Sequence, residues 1–291
     1  MLKYYEQKKV IKAEAKKNKK FINGTVFGQQ YKENFKGLLI SSLVAAAVMV
    51  LIIVIYPYVR DMYATLPQEF VDMYSLFGGL PTNIIEYFII EGGQMYLLTG
   101  CIIAAVMGVN LIQKEIKNGS AEFLYSQPVS RATIFRSKLL VFISNILLFN
   151  LIVAGICLGT VYLMDSSVSF SLLNYFMYFG FMAIIQLLIG FLAFAYTAIR
   201  RRKASLGVAI GVSIVFYFVN MISLITDKVD FLKYLTPFRM IQGVKDSGDQ
   251  ILSVITNGFA AVDVSVLAIF SALTLVILVT SHFVFKKSDI L

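Results

Sequence analysis

The chain has 291 residues, of which 58% are hydrophobic and only 15% are charged, and its net charge is +9. A soluble globular domain averages roughly 25% charged and under 50% apolar residues, so this composition excludes an ordinary soluble protein. It predicts an all-α protein that crosses a lipid bilayer several times. In such a protein the basic excess is typical of cytoplasmic loops, and it does not indicate a nucleic acid partner.

The first 36 residues form a basic segment, with ten Lys and Arg residues against three Glu residues. Its first 20 residues predict a solvated tail near anionic lipid headgroups. Residues 25–36 mix aromatic and polar side chains, which predicts a short helix lying in the membrane interface before the chain turns into the bilayer. The sequence therefore divides into a cytoplasmic segment, 1–36, and a transmembrane domain, 37–291.

Six apolar runs are long enough to span a bilayer, which takes roughly 20 apolar residues. An even number of spans places both ends of the chain on one side of the membrane. The runs cover residues 37–59, 94–112, 139–164, 169–199, 206–225 and 264–285.

The distribution of charge sets the orientation of the spans. Of the 26 Lys and Arg residues, 21 lie in the N-terminal segment, the loops 113–138 and 200–203, and the tail 286–291. The opposite loops hold 11 of the 17 Asp and Glu residues. Because basic residues near span ends mark the cytoplasmic side, both termini are predicted to be cytoplasmic.

Two long segments on the predicted outer side, 60–93 and 226–263, are rich in apolar residues. The first predicts short helices packed on the outer face. The second is interrupted at Pro237 and at a polar turn over 244–249. We expect two short re-entrant helices there rather than two further spans, because irregular backbone at membrane depth is tolerated only where protein buries it.

The sequence offers no catalytic or nucleotide-binding chemistry. The predicted spans hold no Asp, Glu, Lys or Arg, although ion-coupled transporters usually place such a residue at membrane depth. A G-x-x-x-x-G-K-[ST] phosphate loop is missing, and one histidine with Cys101 and Cys157 fits neither a metal site nor a catalytic cluster. We therefore expect this chain to be no enzyme and to bind no metal or cofactor itself.

Five amide side chains and two pairs of glycines lie inside the predicted spans. The amides are expected to hydrogen-bond between helices in preference to a substrate, and the glycine pairs permit close helix approach. The glycine pairs are Gly155 with Gly159 and Gly207 with Gly211, and the amides are Asn110, Asn145, Asn150, Gln186 and Asn220.

The loop 113–138 is more structured than a simple connector. Asn118-Gly119 predicts the end of a helix that leaves the membrane. Ser120 can cap a new helix of about two turns, which Pro128 stops. An apolar tip on a charged loop needs a partner to cover it, and the tip residues are Phe123, Leu124 and Tyr125.

The run EIKNGSAEFLYSQPVSRATIFRSK, residues 115–138, resembles the first cytoplasmic loop of permease subunits in ABC exporters of the type-2 class. That loop has an acid, a Gly-Thr/Ser step, a second acid, a Leu-Leu-Ser-like step, then Pro-Val-Ser-Arg and a Lys. Phe123 and Tyr125 differ in type but remain apolar or aromatic. The matching positions are Glu115, Gly119, Ser120, Glu122, Phe123, Leu124, Ser126, Pro128, Val129, Ser130, Arg131 and Lys138.

This resemblance implies a division of labour between subunits. A separate ATPase subunit would bind ATP and Mg, and the loop would sit in a groove on it as a coupling helix. Two permease copies, or a permease with a paralogue, would form the export pathway in a bacterial plasma membrane. The coupling residues would be Glu115, Gly119, Ser120, Glu122, Phe123, Leu124, Tyr125, Pro128 and Arg131.

In similar exporters the first and fifth spans of each subunit lie near the seam between the two permeases. The aromatic and methionine-containing walls of these spans favour an amphipathic or hydrophobic cargo, such as a peptide, a lipid-like molecule or a drug. The seam residues would be Ser41, Ser42, Met49, Gly207, Gly211, Tyr217 and Asn220.

Two other functions remain open from the residues. One is a secondary transporter that works without an ATPase, and the other is a membrane scaffold or sensor subunit that transports nothing. Co-purification of an ATPase subunit separates the exporter from both.

Overall fold

The computed structural model describes residues 22–75, 79–119, 129–200, 203–225, 227–242, 244 and 252–287. These ranges are helical and contain no β-strand. Six of their helices are long and apolar enough to cross a membrane. The predicted all-α fold with six spans is therefore confirmed.

In the described ranges eight α-helices follow one another, and three short 3-10 helices lie between the last of them. The third α-helix contains a π-helical turn at Phe88–Gly92. The α-helices are α1 (Gly24–Tyr63), α2 (Gln68–Ser75), α3 (Ile84–Lys117), α4 (Arg131–Met164), α5 (Leu172–Arg200), α6 (Leu206–Ile225), α7 (Val254–Asn257) and α8 (Val264–Lys287). The 3-10 helices are Asp227–Leu235, Pro237–Ile241 and Gly258–Ala261.

Helix α1 joins the predicted interfacial segment to the first span without a break. It has 40 residues, which corresponds to about 60 Å at 1.5 Å per residue. Asn23 caps it by accepting hydrogen bonds from the backbone N–H groups of Thr25 and Val26. Gly37 alone does not interrupt it, because one helical glycine costs only about 1 kcal/mol. The predicted separate interfacial helix is thus the first part of one long helix.

Helix α5 lies at the centre of the bundle. In its 18-residue apolar stretch 67% of the residues are buried, whereas only 22% are buried in the corresponding stretches of α6 and α8. Glycines let α3 approach α5 closely, since a Cβ atom at Gly108 would overlap the carbonyl oxygen of Gly190. Likewise, a Cβ atom at Gly100 would overlap the amide of Gln186.

The glycine pairs singled out in the sequence do not make this packing. An added Cβ atom at Gly155, Gly159 or Gly211 would meet nothing within 4 Å. The spacing of small residues was therefore a poor guide to close contacts within the chain, because it does not say which face of a helix points inward.

A row of hydrogen-bonded polar side chains crosses the core between α3, α4 and α5. The Tyr96 hydroxyl donates to Asn150 Oδ1 at 2.8 Å, and Asn150 Nδ2 donates to Gln186 Oε1 at 2.7 Å. The prediction that span amides bond between helices is confirmed for Asn150 and Gln186. Asn145 does not show such a bond, because its buried Oδ1 has no hydrogen-bond partner among the described residues.

The segment after α6 packs into the protein as short helices. Pro237–Ile241 is buried along its whole length. Thr236 holds it in place, because its hydroxyl accepts from Phe238 N and donates to the Phe216 carbonyl oxygen at 2.8 Å. The protein therefore buries this irregular backbone, which is the condition that a position at membrane depth requires.

The described chain begins and ends at the same end of the bundle. The Asn23 backbone N–H donates to Ser137 Oγ at 3.2 Å, and the rings of Phe135 and Phe285 lie 5.4 Å apart. Helix α3 ends and α4 begins there as well, so we call it the loop end.

Candidate functional site

The two sides of the 113–138 loop have the predicted local structure. The Asn118 backbone N–H donates to the Lys114 carbonyl oxygen at 3.0 Å and closes the last turn of α3. Gly119 follows with a φ of 70°, a left-handed conformation that glycine adopts at no steric cost. On the other side, Ser130 Oγ accepts from Thr133 N at 3.1 Å and caps α4.

The predicted coupling residues divide into two groups. Glu115, Gly119 and Arg131 lie in the described structure, at the end of α3, just after it, and at the start of α4. The others lie outside the described residues, and their role stays a prediction: Ser120, Glu122, Phe123, Leu124, Tyr125 and Pro128.

A buried ion pair joins α3 to α4 at the base of the loop. Lys138 Nζ lies 2.5 Å from Glu115 Oε1, and the side chains are 0% and 7% exposed. The Lys138 ammonium also donates to the Leu111 carbonyl oxygen, and Gln30 Nε2 donates to Glu115 Oε1 at 2.7 Å. A buried charge is tolerated only when it is paired and hydrogen-bonded, so each partner depends on the other.

The buried pair lies just outside the predicted spans 94–112 and 139–164. The apolar runs do lack charged residues, but the helices continue past them toward the loop end and bury Glu115 and Lys138 there. A carboxylate near the C-terminus of a helix is unfavourable with respect to the helix dipole. The Lys138 ammonium offsets this because it contacts both the carboxylate and a carbonyl of the same helix end.

The base of the loop is also tied to other helices of the bundle. Lys114 Nζ donates to the Glu33 carbonyl oxygen of α1 at 3.1 Å. Gln113 Nε2 donates to the Ala204 carbonyl oxygen, just before α6 begins. On the α4 side, the ring of Phe135 packs against that of Phe194, and their centroids are 5.0 Å apart.

Sequence reasoning found some of these residues and missed others. Glu115 and Lys138 were noted as matches to the loop pattern, but their burial and pairing were not predicted. The sequence pattern did not identify Gln30 and Gln113. A single glutamine has no periodicity or spacing that distinguishes a buried amide from a solvated one.

The predicted seam residues occupy different environments in the single chain. Ser42, Met49 and Asn220 are buried within it, and Asn220 Nδ2 donates to Gln242 Oε1 at 2.6 Å. The others are partly or fully exposed, and they are Ser41, Gly207, Gly211 and Tyr217.

Paired charges and hydrogen bonds hold the loop base together. Among the residues that the structure describes, no three His, Cys, Asp or Glu side chains come together as metal ligands. What lies at the loop base is a charge-paired junction, with contacts to three neighbouring elements. A displacement of the loop would therefore move α3, α4 and α1 together.

Comparison with known proteins agrees with this geometry. No curated protein matches the chain. The family model described as ABC-2 family transporter protein matches residues 32–290, a range that includes the loop and the six long helices apart from the first eight residues of α1. The chain therefore belongs to the ABC-2 transporter family, as the multi-pass permease component of an ABC transporter.

Proposed function

We propose that this chain is the permease of an ATP-driven exporter and that its 113–138 loop docks on a separate ATPase subunit, which binds ATP and Mg. The observation that carries the proposal is the buried Glu115–Lys138 pair, which locks the two sides of the loop together. A loop that only connected two helices would not need a paired charge buried at its base. The family match supports the same role.

The contacts at the loop base supply a route for coupling. Closure of the ATPase would push the loop, and the Glu115–Lys138 pair would make α3 and α4 respond as one body. Gln30 would pass the movement to α1, and Gln113 to the connection before α6. Both receiving helices lie at the periphery of the described bundle, with 33% and 22% of their 18-residue apolar stretches buried.

We further propose that α1 and α6 face a second permease copy or a paralogue. Helix α6 leaves a row of apolar side chains exposed at helical spacing, namely Val208, Val212, Val215, Phe218 and Ile222. Near its loop end an added Cβ atom at Gly211 would meet nothing within 4 Å, so a partner helix has room to approach there. The seam residues Ser41, Gly207 and Tyr217 lie on the same two helices.

The cargo that fits this protein is amphipathic or hydrophobic, such as a peptide, a lipid-like molecule or a drug. Apolar and amide side chains line a groove between α1 and α3 that suits such a molecule. A secondary transporter would instead need an ion-coupling residue at depth, and the only described acid in the helix core is already paired at the loop base.

Co-purification tests the proposal. The tagged chain, extracted from its native membrane in mild detergent, should carry a soluble ATPase subunit in a fixed ratio. ATP hydrolysis by the complex should respond to reconstitution in lipid. A chain that purifies without any ATPase, yet transports in its absence, would favour the secondary transporter.

The orientation, with both termini cytoplasmic in a bacterial plasma membrane, has its own test. Single cysteines at positions 75 and 247 should react with an impermeant thiol reagent on intact cells, and those at 23, 118 and 201 should react only after lysis. Replacing Cys101 and Cys157, which are both buried, removes background labelling. Reaction at position 118 from outside would place the loop on the wrong side for an ATPase.

A further inference from the structure

A cavity of about 240 Å³ lies between α1, α3 and α4 and is partly open to the outside of the bundle. Its apolar wall includes Ile103, Met107 and Phe142. A second hollow of about 330 Å³ adjoins it on the side of the loop end, and Asn34 and Asn110 line both. The two hollows are neighbours that share lining residues, and together we call them the α1–α3 groove.

The groove changes from charged to apolar along its length. The hollow at the loop end is lined by Lys114, Lys117 and Glu33, which leaves an excess of one positive charge. Glu33 Oε1 already accepts a hydrogen bond from Gln29 Nε2 at 3.1 Å. Asn110 lies four residues before Lys114 on α3, or about 6 Å along the helix axis. The amides therefore separate a cationic mouth from the apolar wall.

Asn145 supplies a hydrogen-bond acceptor that the protein does not use. It lines the cavity and is 3% exposed, and its Oδ1 has no hydrogen-bond partner in the part of the chain that the structure describes. Asn150, on the same helix, is as buried, yet its amide bonds to Tyr96, Gln186 and the Ile146 carbonyl. Since nearly all buried polar atoms in proteins are satisfied, the unpaired oxygen is an acceptor that a donor from outside the chain would satisfy.

We propose that the α1–α3 groove binds a single-chain anionic amphiphile with an N–H or O–H donor next to its apolar chain, of the N-acyl amino acid type. The chain would lie on the apolar wall, the donor would bond Asn145 Oδ1, and the anionic group would face Lys114 and Lys117. Small-molecule pockets span roughly 300–1,000 Å³. The apolar part of this groove is smaller than that, so it favours one acyl chain over two.

This inference names a ligand class for the permease, and it stands on the groove rather than on transport. Binding can be measured on the purified full-length chain in nanodiscs, without an ATPase. A failure of the binding proposal is therefore distinguishable from a failure of the proposed exporter function, which co-purification tests.

The test uses two probes that differ only at the amide nitrogen. N-dodecanoylglycine carries an amide N–H, whereas N-dodecanoylsarcosine carries a methyl group in its place, with the same chain and charge. We expect radiolabelled N-dodecanoylglycine to bind saturably below its micelle concentration. The N-methyl compound should compete about 3- to 10-fold less well, as expected for one lost hydrogen bond. Equal competition by the two compounds on the unmodified chain would overturn the assignment.

Variants locate the donor site. Asn145→Leu should weaken the binding of N-dodecanoylglycine to the level of N-dodecanoylsarcosine. The affinity for N-dodecanoylsarcosine should stay unchanged. Ser144→Ala is the matched control, because Ser144 Oγ bonds only carbonyls of its own helix, and it should keep the full preference. A preference that persists in Asn145→Leu contradicts the proposal. If that variant does not fold, the comparison of the two probes on the unmodified chain still decides.

A third competitor tests the cationic mouth. N-dodecanoylglycinamide keeps the chain and the donor but is neutral, and it should compete more weakly than the carboxylate. Lys114→Gln with Lys117→Gln should remove that difference and most of the salt dependence, because screening acts on the charged contact. Equal affinities of the neutral and anionic compounds for the unmodified chain would contradict an anionic ligand.

Discussion

Replacing Lys138 with Met should destabilise the permease by about 3–5 kcal/mol, the usual cost of removing one partner from a buried ion pair. Among the described residues, the variant leaves the buried Glu115 carboxylate with only Gln30 as a hydrogen-bond donor. Its other oxygen, Oε2, is buried and has no partner in the described structure. The fraction of monodisperse protein after heating, followed by fluorescence-detected size-exclusion chromatography, should fall at a clearly lower temperature.

Two further variants separate the ion pair from a general effect of losing a lysine. Lys117→Met removes an exposed charge near the same helix end and should change stability by no more than about 0.5 kcal/mol. Glu115→Gln combined with Lys138→Met removes both buried charges and should recover much of the loss. A Lys138→Met protein that melts like the unmodified one would show that the pair does not hold the loop base.

Replacing Gly108 with Ala should destabilise the chain by about 1–3 kcal/mol, because overpacking forces a well-packed contact apart. The new methyl group would overlap the carbonyl oxygen of Gly190, and Phe194 N would lie only 3.2 Å away. Both are backbone atoms of α5, so a side-chain rotation cannot relieve the clash. The same thermal assay measures the effect.

Gly155→Ala is the matched control for this prediction. Gly155 is exposed in the middle of α4, and an added Cβ atom there meets nothing within 4 Å. Alanine is favoured over glycine in a helix by about 1 kcal/mol, so this variant should be as stable as the unmodified chain or slightly more so. Equal losses in the two variants would contradict the close packing of α3 on α5.

The number, order and approximate limits of the spans could be predicted from the sequence, because length and hydropathy fix what a bilayer accepts. The helix ends around the loop were also predictable, since Gly119 and Ser130 carry strong local signals. The continuity of α1 was not, because a mixed polar and aromatic stretch such as 25–36 suits an interfacial helix equally well. The contacts of Gln30 with Glu115 and of Glu33 with Lys114 show that this part belongs to the bundle.

The candidate site was predicted as a pattern but not as a structure. The pattern named Glu115 and Lys138, yet nothing in a linear sequence says that two residues 23 positions apart meet in a buried pair. The sequence did not predict the groove. Asn145 and Asn150 look alike in the sequence, and only their neighbours in three dimensions leave one amide bonded and the oxygen of the other unpaired.

The central claim is that the 113–138 loop is where this permease binds its ATPase, and Leu124 is the residue that tests it most directly. An apolar side chain buried in a partner contributes roughly 1.5–3 kcal/mol, and a carboxylate in its place costs more. With Leu124→Asp, the permease should still be made and extracted, but the ATPase subunit should no longer co-purify, or its hydrolysis should no longer respond to the permease. An intact complex with unchanged transport-linked ATP hydrolysis would contradict the claim.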